Sequence, residues 1–171
     1  TDNPLTNDSL VVSCAATDRY KILSPDSFVS LSLNYESGGY EVGGLTYEQE
    51  ITSAISYVTQ DTIPRVMVLQ GHGELDANAT AVLEDFLSGN NFEVRYFELS
   101  DTDVTLEPTD LLMILSPQRD FMDTELKTLT DFAAAGGSMF ITCDYSDNVD
   151  NMPNYQSLLR SYGFLPLNGI V

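Results

Sequence analysis

The chain has 171 residues, 43% of them hydrophobic, enough for one well-buried core and too apolar for a disordered chain. Seven basic against 26 acidic residues leave a net charge of −19, so nothing here neutralises a run of phosphates; nucleic acid and anionic membrane surfaces are disfavoured as partners. No apolar run approaches the roughly 20 residues of a membrane span, and the start has neither a basic n-region nor an apolar h-region.

Thr1 to Asp8 is a polar lead-in. Ser9–Ala16 is apolar and β-branched enough for a strand. Arg19–Leu23 and Phe28–Leu33 alternate with the period of half-exposed strands. Asn34 to Gly44 is rich in Gly and Tyr and reads as a loop, its tyrosines a candidate interface patch. Residues 1–44 are therefore expected to form a small N-terminal β appendage, packed on an α/β core domain of residues 45–171.

Thr46-x-x-Gln49 has the spacing of a capping box. Tyr47, Ile51, Ala54, Ile55 and Val58 then share one helical face. Asp61, Thr62 and Pro64 end this helix. Arg65–Gln70 follows as a strand with a continuous apolar centre, the pattern of a parallel sheet covered on both faces. It stops at Gly71-His72-Gly73-Glu74, which holds the only histidine of the sequence. A second apolar stripe, Ala79, Val82, Leu83, Phe86 and Leu87, predicts a helix closed by Gly89 as a left-handed residue. Phe92–Leu99 is the next strand. Ser100 to Asp110, with four acids and one proline, is a surface loop, short for a helical crossover.

Leu111–Leu115 is another apolar strand, stopping at Ser116-Pro117-Gln118. Asp123 is placed to cap a helix with Leu126, Leu129, Phe132 and Ala133 inward, terminated by Gly136 and Gly137. Ser138–Cys143 is the fourth core strand and stops at Asp144. A polar loop over Tyr145–Pro153 and a short helix over Tyr155–Tyr162, ended by Gly163, complete the order. The chain stops at Gly169-Ile170-Val171, where an apolar stretch begins, and reads as a piece of something longer. The alternation predicts a mostly parallel sheet with right-handed crossovers, most simply a three-layer flavodoxin-like sandwich.

Parallel strands bring their C-terminal ends to one edge, where such sheets hold ligands. That edge would carry His72 and Glu74, then Ser116 and Gln118, then Asp144, the candidate ligand or interaction cleft. Nucleophilic catalysis would use Cys143 with His72 as base. Yet the flanking Thr142 and Asp144 lack the small side chains of a nucleophile elbow, and an adjacent carboxylate disfavours a thiolate. A metal would need His72, Glu74 and Asp144. No spacing demands it, and the every-third-residue Asp144, Asp147 and Asp150 do not match an EF-hand. A phosphate at the glycine turn would meet Glu74 and Asp76 and no base before Arg95, and the turn is not G-x-G-x-x-G. No cofactor, metal or catalytic residue is therefore expected. The bland reading makes Gly71 and Gly73 a tight turn and His72 a hydrogen-bonding link between loops. Cys14 and Cys143, 129 positions apart, are expected to be separate, buried and inert rather than disulfide-bonded.

Glu48–Thr59, the Gly71-His72-Gly73-Glu74 turn, Ser116-Pro117-Gln118, and the helix ending in Gly136-Gly137 before a strand and Asp144 resemble, taken together, the Gldg family. Its members are auxiliary components of ABC-type transport systems related to gliding-motility proteins. The resemblance runs from about Ser9 to Val171. It implies a fold similar to class I glutamine amidotransferases without their catalytic set; this chain likewise has no Gly-x-Cys-x-Gly elbow. It also implies an extracytoplasmic domain at a bacterial cell membrane, anchored through segments outside this fragment, whose partners are an ABC permease and ATPase. The expected function is a non-catalytic binding or scaffold domain. The rivals are a sugar-like small-molecule binding module using His72, Glu74, Gln118 and Asp144, and a hydrolase or amidotransferase-like enzyme using the cleft at His72.

Overall fold

Val66 to Leu69 and Leu112 to Leu115 place no polar side chain on either face of their strands, so both faces must be covered. The computed structural model, which describes residues 5–144 and 149–165, covers them with helices on either side of a parallel sheet. The first four residues of the lead-in, residues 145–148 of the polar loop (with Asp147), and the apolar Gly169-Ile170-Val171 lie outside the described residues. The chain folds as two compact units, Thr1–Ile63 and Pro64–Val171.

In the first unit β1 (Leu10–Cys14) and β2 (Arg19–Leu23) form one antiparallel pair, and β3 (Val29–Leu33) and β4 (Tyr40–Leu45) another. Strand β4 corrects the expectation of a loop over Asn34–Gly44. Its glycines hide a register in which Leu31 opposes Val42 and Leu33 opposes Tyr40. All four of these side chains are exposed.

Helix α1 (Tyr47–Thr59) packs on β1 and β2, burying Ala54 and Val58, while Leu23 is the fully buried strand residue. Residues 45–63 thus belong with the N-terminal strands, and the unit boundary falls at Ile63 rather than at Gly44. The capping box is not formed. Thr46 donates its hydroxyl to the Ser27 carbonyl instead, 2.7 Å away, tying the helix start to the preceding turn. At the other end, the Thr17 hydroxyl and the Arg19 guanidinium donate to the Val58 and Gln60 carbonyls, satisfying groups that a helix C-terminus leaves open.

The second unit follows the predicted alternation: β5 (Arg65–Gln70), α2 (Ala81–Gly89), β6 (Glu93–Glu98), β7 (Leu111–Leu115), α3 (Asp123–Ala134), β8 (Ser138–Thr142) and α4 (Pro153–Ser161). The four strands are parallel in the order β6-β5-β7-β8. This is a four-stranded parallel sheet flanked by helices, consistent with a flavodoxin-like α/β arrangement. The chain moves outward from β5 to β6, then returns past it to β7, so the strand order reverses between β5 and β7.

Strand alternation sorts the core by face. Val66, Val68, Met113 and Leu115 pack with Leu83 and Leu87 of α2. Met67, Leu69, Leu112 and Ile114 pack with Leu129 and Phe132 of α3 and Leu158 and Leu159 of α4. Three of the five residues of the stripe predicted for α2 are exposed: Ala79, and Val82 and Phe86 at 83% and 64%. Residues 99–110, between β6 and β7, form no helix.

Gly89 is the last helical residue of α2 and not its left-handed terminator. Asn91 takes the left-handed conformation (φ 66°), with Asn91 N–H on the Ser88 carbonyl and Phe92 N–H on that of Leu87, a Schellman motif. Asparagine is the non-glycine residue that best tolerates this region. Helix α3 ends in the same motif at Gly136 (φ 97°), with Gly136 and Gly137 bonded to the Ala133 and Phe132 carbonyls. Gly137 is needed for a second reason, since a Cβ there would collide with the Phe132 ring, 5% exposed in the core. Gly137→Ala is therefore expected to cost about 1–3 kcal/mol through overpacking, read as a lower urea midpoint at unchanged slope. An unchanged midpoint would show that the Phe132 ring has room to move.

Candidate functional site

Because all four strands run the same way, β5, β7 and β8 end on one edge, and their following loops meet there. Gly71 and Gly73 both have positive φ, 108° and 80°, letting the chain turn twice within three residues. The turn lies against the loop after β7. The His72 carbonyl accepts the Gln118 and Arg119 amides at 2.8 and 2.9 Å, and the Arg119 guanidinium donates to the Gly71 carbonyl at 2.6 Å. A Cβ at Gly73 would stand 3.1 Å from that of Gln118, so the approach itself calls for glycine.

Ser116 sits in the left-handed region (φ 53°) and joins the loop to β8. Its amide donates to the Thr142 carbonyl, and its hydroxyl lies 3.2 Å from that of Thr142.

His72 projects inward from this junction and is 9% exposed. Nε2 is 3.0 Å from Glu125 Oε2, and Nδ1 is 3.4 Å from Glu74 Oε1. Glu74 and Glu125 are themselves 8% and 9% exposed. Both ring nitrogens thus face carboxylates, and only the doubly protonated imidazolium offers each a proton. The 3.4 Å separation is long for a hydrogen bond, so the hold of Glu74 on the ring is chiefly ionic. Glu74, then Glu125, raises His72 above the usual imidazole range against the opposing effect of burial.

Each carboxylate is also fixed by backbone. Glu74 Oε2 accepts the His72 amide at 2.7 Å, and Glu125 Oε2 accepts the Met122 amide at 2.7 Å. Glu125 is the third residue of α3. It makes the reach-back half of a capping box with Met122 as N-cap. Asp123, expected as the cap, is the first helical residue and accepts from the Asn154 side chain instead.

Aromatic rings continue the packing inward. Phe121 meets His72 edge-on at 4.8 Å and Tyr155 at 5.9 Å. Asp120, one residue earlier, accepts the Asn154 and Tyr155 amides at 3.1 and 2.8 Å, capping α4 from another loop. The buried Tyr155 donates its hydroxyl to the Thr142 carbonyl and lies 2.8 Å from the Cys143 sulfur.

Of the five residues expected in a cleft, His72 and Glu74 come together and are buried. Gln118 joins them through its backbone. Ser116 belongs to the β7–β8 seam, and Asp144 is exposed just beyond β8. The carboxylate opposite Glu74 is Glu125, which the sequence does not single out. Its one signal is its position three residues after Met122, where a helix start prefers Glu. Cys143 corrects the expectation of burial: it lies past the end of β8 and is exposed, while Cys14 is half-buried, and both are free thiols.

Nε2 is committed to Glu125, while Nδ1 and Glu74 Oε1 are buried without a hydrogen bond and attract each other through charge. Among the described residues no group of His, Cys, Asp and Glu is arranged to hold a metal ion, and no helix is long and apolar enough to cross a membrane.

The family model described as "ABC-type uncharacterized transport system" matches residues 63–167, more than half of the chain. The chain belongs to this family, one of auxiliary components of ABC-type transport systems. The match opens at Ile63, next to the start of the second unit, and takes in the whole parallel sheet and its strand-end loops. Neither the curated proteins nor the solved structures contain a match.

The clamp has a pH signature. The folded ring holds its proton more tightly than imidazole in the unfolded chain, whose usual value is 6.5. Its contribution is therefore complete below that pH and is lost as pH rises through the raised folded value. His72→Gln is expected to lower stability by about 1–3 kcal/mol near pH 6. Urea titrations at successive pH values should show the gap to wild type narrowing as pH rises past 6.5 and through the raised folded value; a gap that widens with pH would contradict the imidazolium.

Proposed function

We propose that this chain is a non-catalytic scaffold domain of the Gldg type, carried on the extracytoplasmic face of a bacterial membrane by segments outside this sequence. Its partners in this reading are the permease and ATPase subunits of an ABC transporter, and it is related to gliding-motility proteins. The observation that carries the reading is the state of the strand-end edge. Where a parallel sheet ordinarily keeps a ligand crevice at the reversal of strand order, this one fills the position with a buried Glu74–His72–Glu125 cluster and interlocked backbone. Such packing favours a fixed surface over turnover. Family membership supports the transport setting.

The test is co-expression of the membrane-anchored protein with its permease and ATPase, detergent extraction, and affinity capture through the domain. Both subunits should be retained. Folded wild-type and Cys143→Ala proteins should alike show only background hydrolysis of glutamine and of simple esters. Turnover abolished by Cys143→Ala, or failure to retain either subunit, would overturn the scaffold reading. Cleavage of the domain by protease added to intact spheroplasts checks its side of the membrane.

A further inference from the structure

The crossover from β6 to β7 is the one βαβ connection of the sheet without a helix among the described residues, and it leaves a groove. It is lined by Phe97, Leu99, Val104, Leu106 and Pro108, by Thr128, Asp131 and Phe132 of α3, and by Ala135 just past that helix. It encloses about 410 Å³, within the range of ligand sites, roughly 300–1,000 Å³. No residue of the His72 cluster lines it.

Its chemistry narrows the occupant. The lining is mixed: seven of its twelve residues are apolar, Thr105 and Thr128 add hydroxyls, and its charged groups are all acidic, Glu98, Asp101 and Asp131. Among the described residues no Lys or Arg lines the groove. Lys127 pairs with Asp131 and Arg95 with Asp103, and the Arg65 guanidinium reaches the Thr105 carbonyl, so among the described residues Glu98 and Asp101 are the lining acids without a cation partner.

The side given by α3 from Thr128, with the C-cap Ala135 just past it, spans about two helical turns, about 10 Å. The groove lies beside α3 on the sheet face where a crossover helix would ordinarily sit. We propose that it receives an amphipathic helix of a partner protein. Apolar side chains of about two turns would meet the apolar part of the lining, and flanking Lys or Arg would face Glu98 and Asp101. This is the helix-in-groove mode, with i, i+3 and i+4 anchors and charge complementarity setting orientation. It stands independently of the scaffold reading, since it needs neither the transporter nor the His72 cluster.

The probe is a synthetic amphipathic peptide of about 14 residues, leucine on one face and lysine on the other, beside a counterpart with glutamate for lysine. Both are titrated into the isotope-labelled full chain and followed by amide chemical shifts. The lysine peptide should bind and move signals within residues 97–108 and 128–135; the glutamate peptide should not. Ala135→Trp, which fills the groove from an exposed position just past α3, and the double variant Glu98→Lys, Asp101→Lys should each weaken binding about tenfold or more. The control Asp85→Lys, Glu93→Lys changes net charge equally at exposed positions outside the groove and should leave affinity within about twofold. Equal loss in the control would show non-specific attraction to an acidic protein and overturn the proposal. So would indifference to Ala135→Trp, shifts centred elsewhere, or no binding at about 1 mM peptide.

Discussion

A histidine ring buried between two carboxylates is the constraint on which the strand-end edge depends. Withdrawing ions from water costs several kcal/mol each, and pairing offsets this only where the remaining valences are filled. Here they largely are, since the His72 and Met122 amides hold the two glutamates. The ring therefore couples the loop after β5 to the first turn of α3. With the ring placed, its own carbonyl faces the Gln118 and Arg119 amides, and the loop after β7 is set as well. A comparable tie stands at the other end of β5. Arg65 grips Asp110 through two hydrogen bonds of 2.8 and 2.7 Å, and Asp110 is 3% exposed. The central strand is thus held to its neighbourhood by charge at both ends and by apolar packing between them.

This use of the strand-end edge differs from what the topology makes available. The reversal of strand order between β5 and β7 opens a place where many α/β proteins keep substrates. The glycine turn there has the positive φ values that in other settings let backbone approach a phosphate. The His72 amide there is taken by the Glu74 side chain instead, and the Leu75 amide, one residue past the turn, by the Leu115 carbonyl. The acidic residue just past the turn, which weighs against phosphate, is what the histidine requires.

Much of the second unit was legible from local pattern. Continuous apolar runs marked β5 and β7 as strands covered on both faces, and glycine pairs marked the turn after β5 and the end of α3. What escaped was set by partners distant in sequence. Nothing local to Glu125 says that it meets a histidine 53 positions earlier. Asn91 displaced Gly89 because α2 runs to the glycine before turning. Thr46 gave up its capping role for a carbonyl 19 positions back, and α1 went to the N-terminal strands although its stripe would suit any apolar surface. The glycines of β4 concealed a strand because pairing with β3, not propensity, makes it one.

That ribbon of β3 and β4 places Val29, Leu31, Leu33, Tyr40, Val42 and Leu45 on one side and Ser30, Ser32 and Glu41 on the other. Two strands alone are marginal in water, and each has a bare outer edge that invites another strand. Molecules carrying 19 negative charges repel one another, which opposes association through such a surface. That repulsion reaches only about a Debye length, roughly 10 Å at 0.1 M salt and 3 Å at 1 M. Added salt therefore removes the opposition and leaves the apolar face and bare edges to their own attraction.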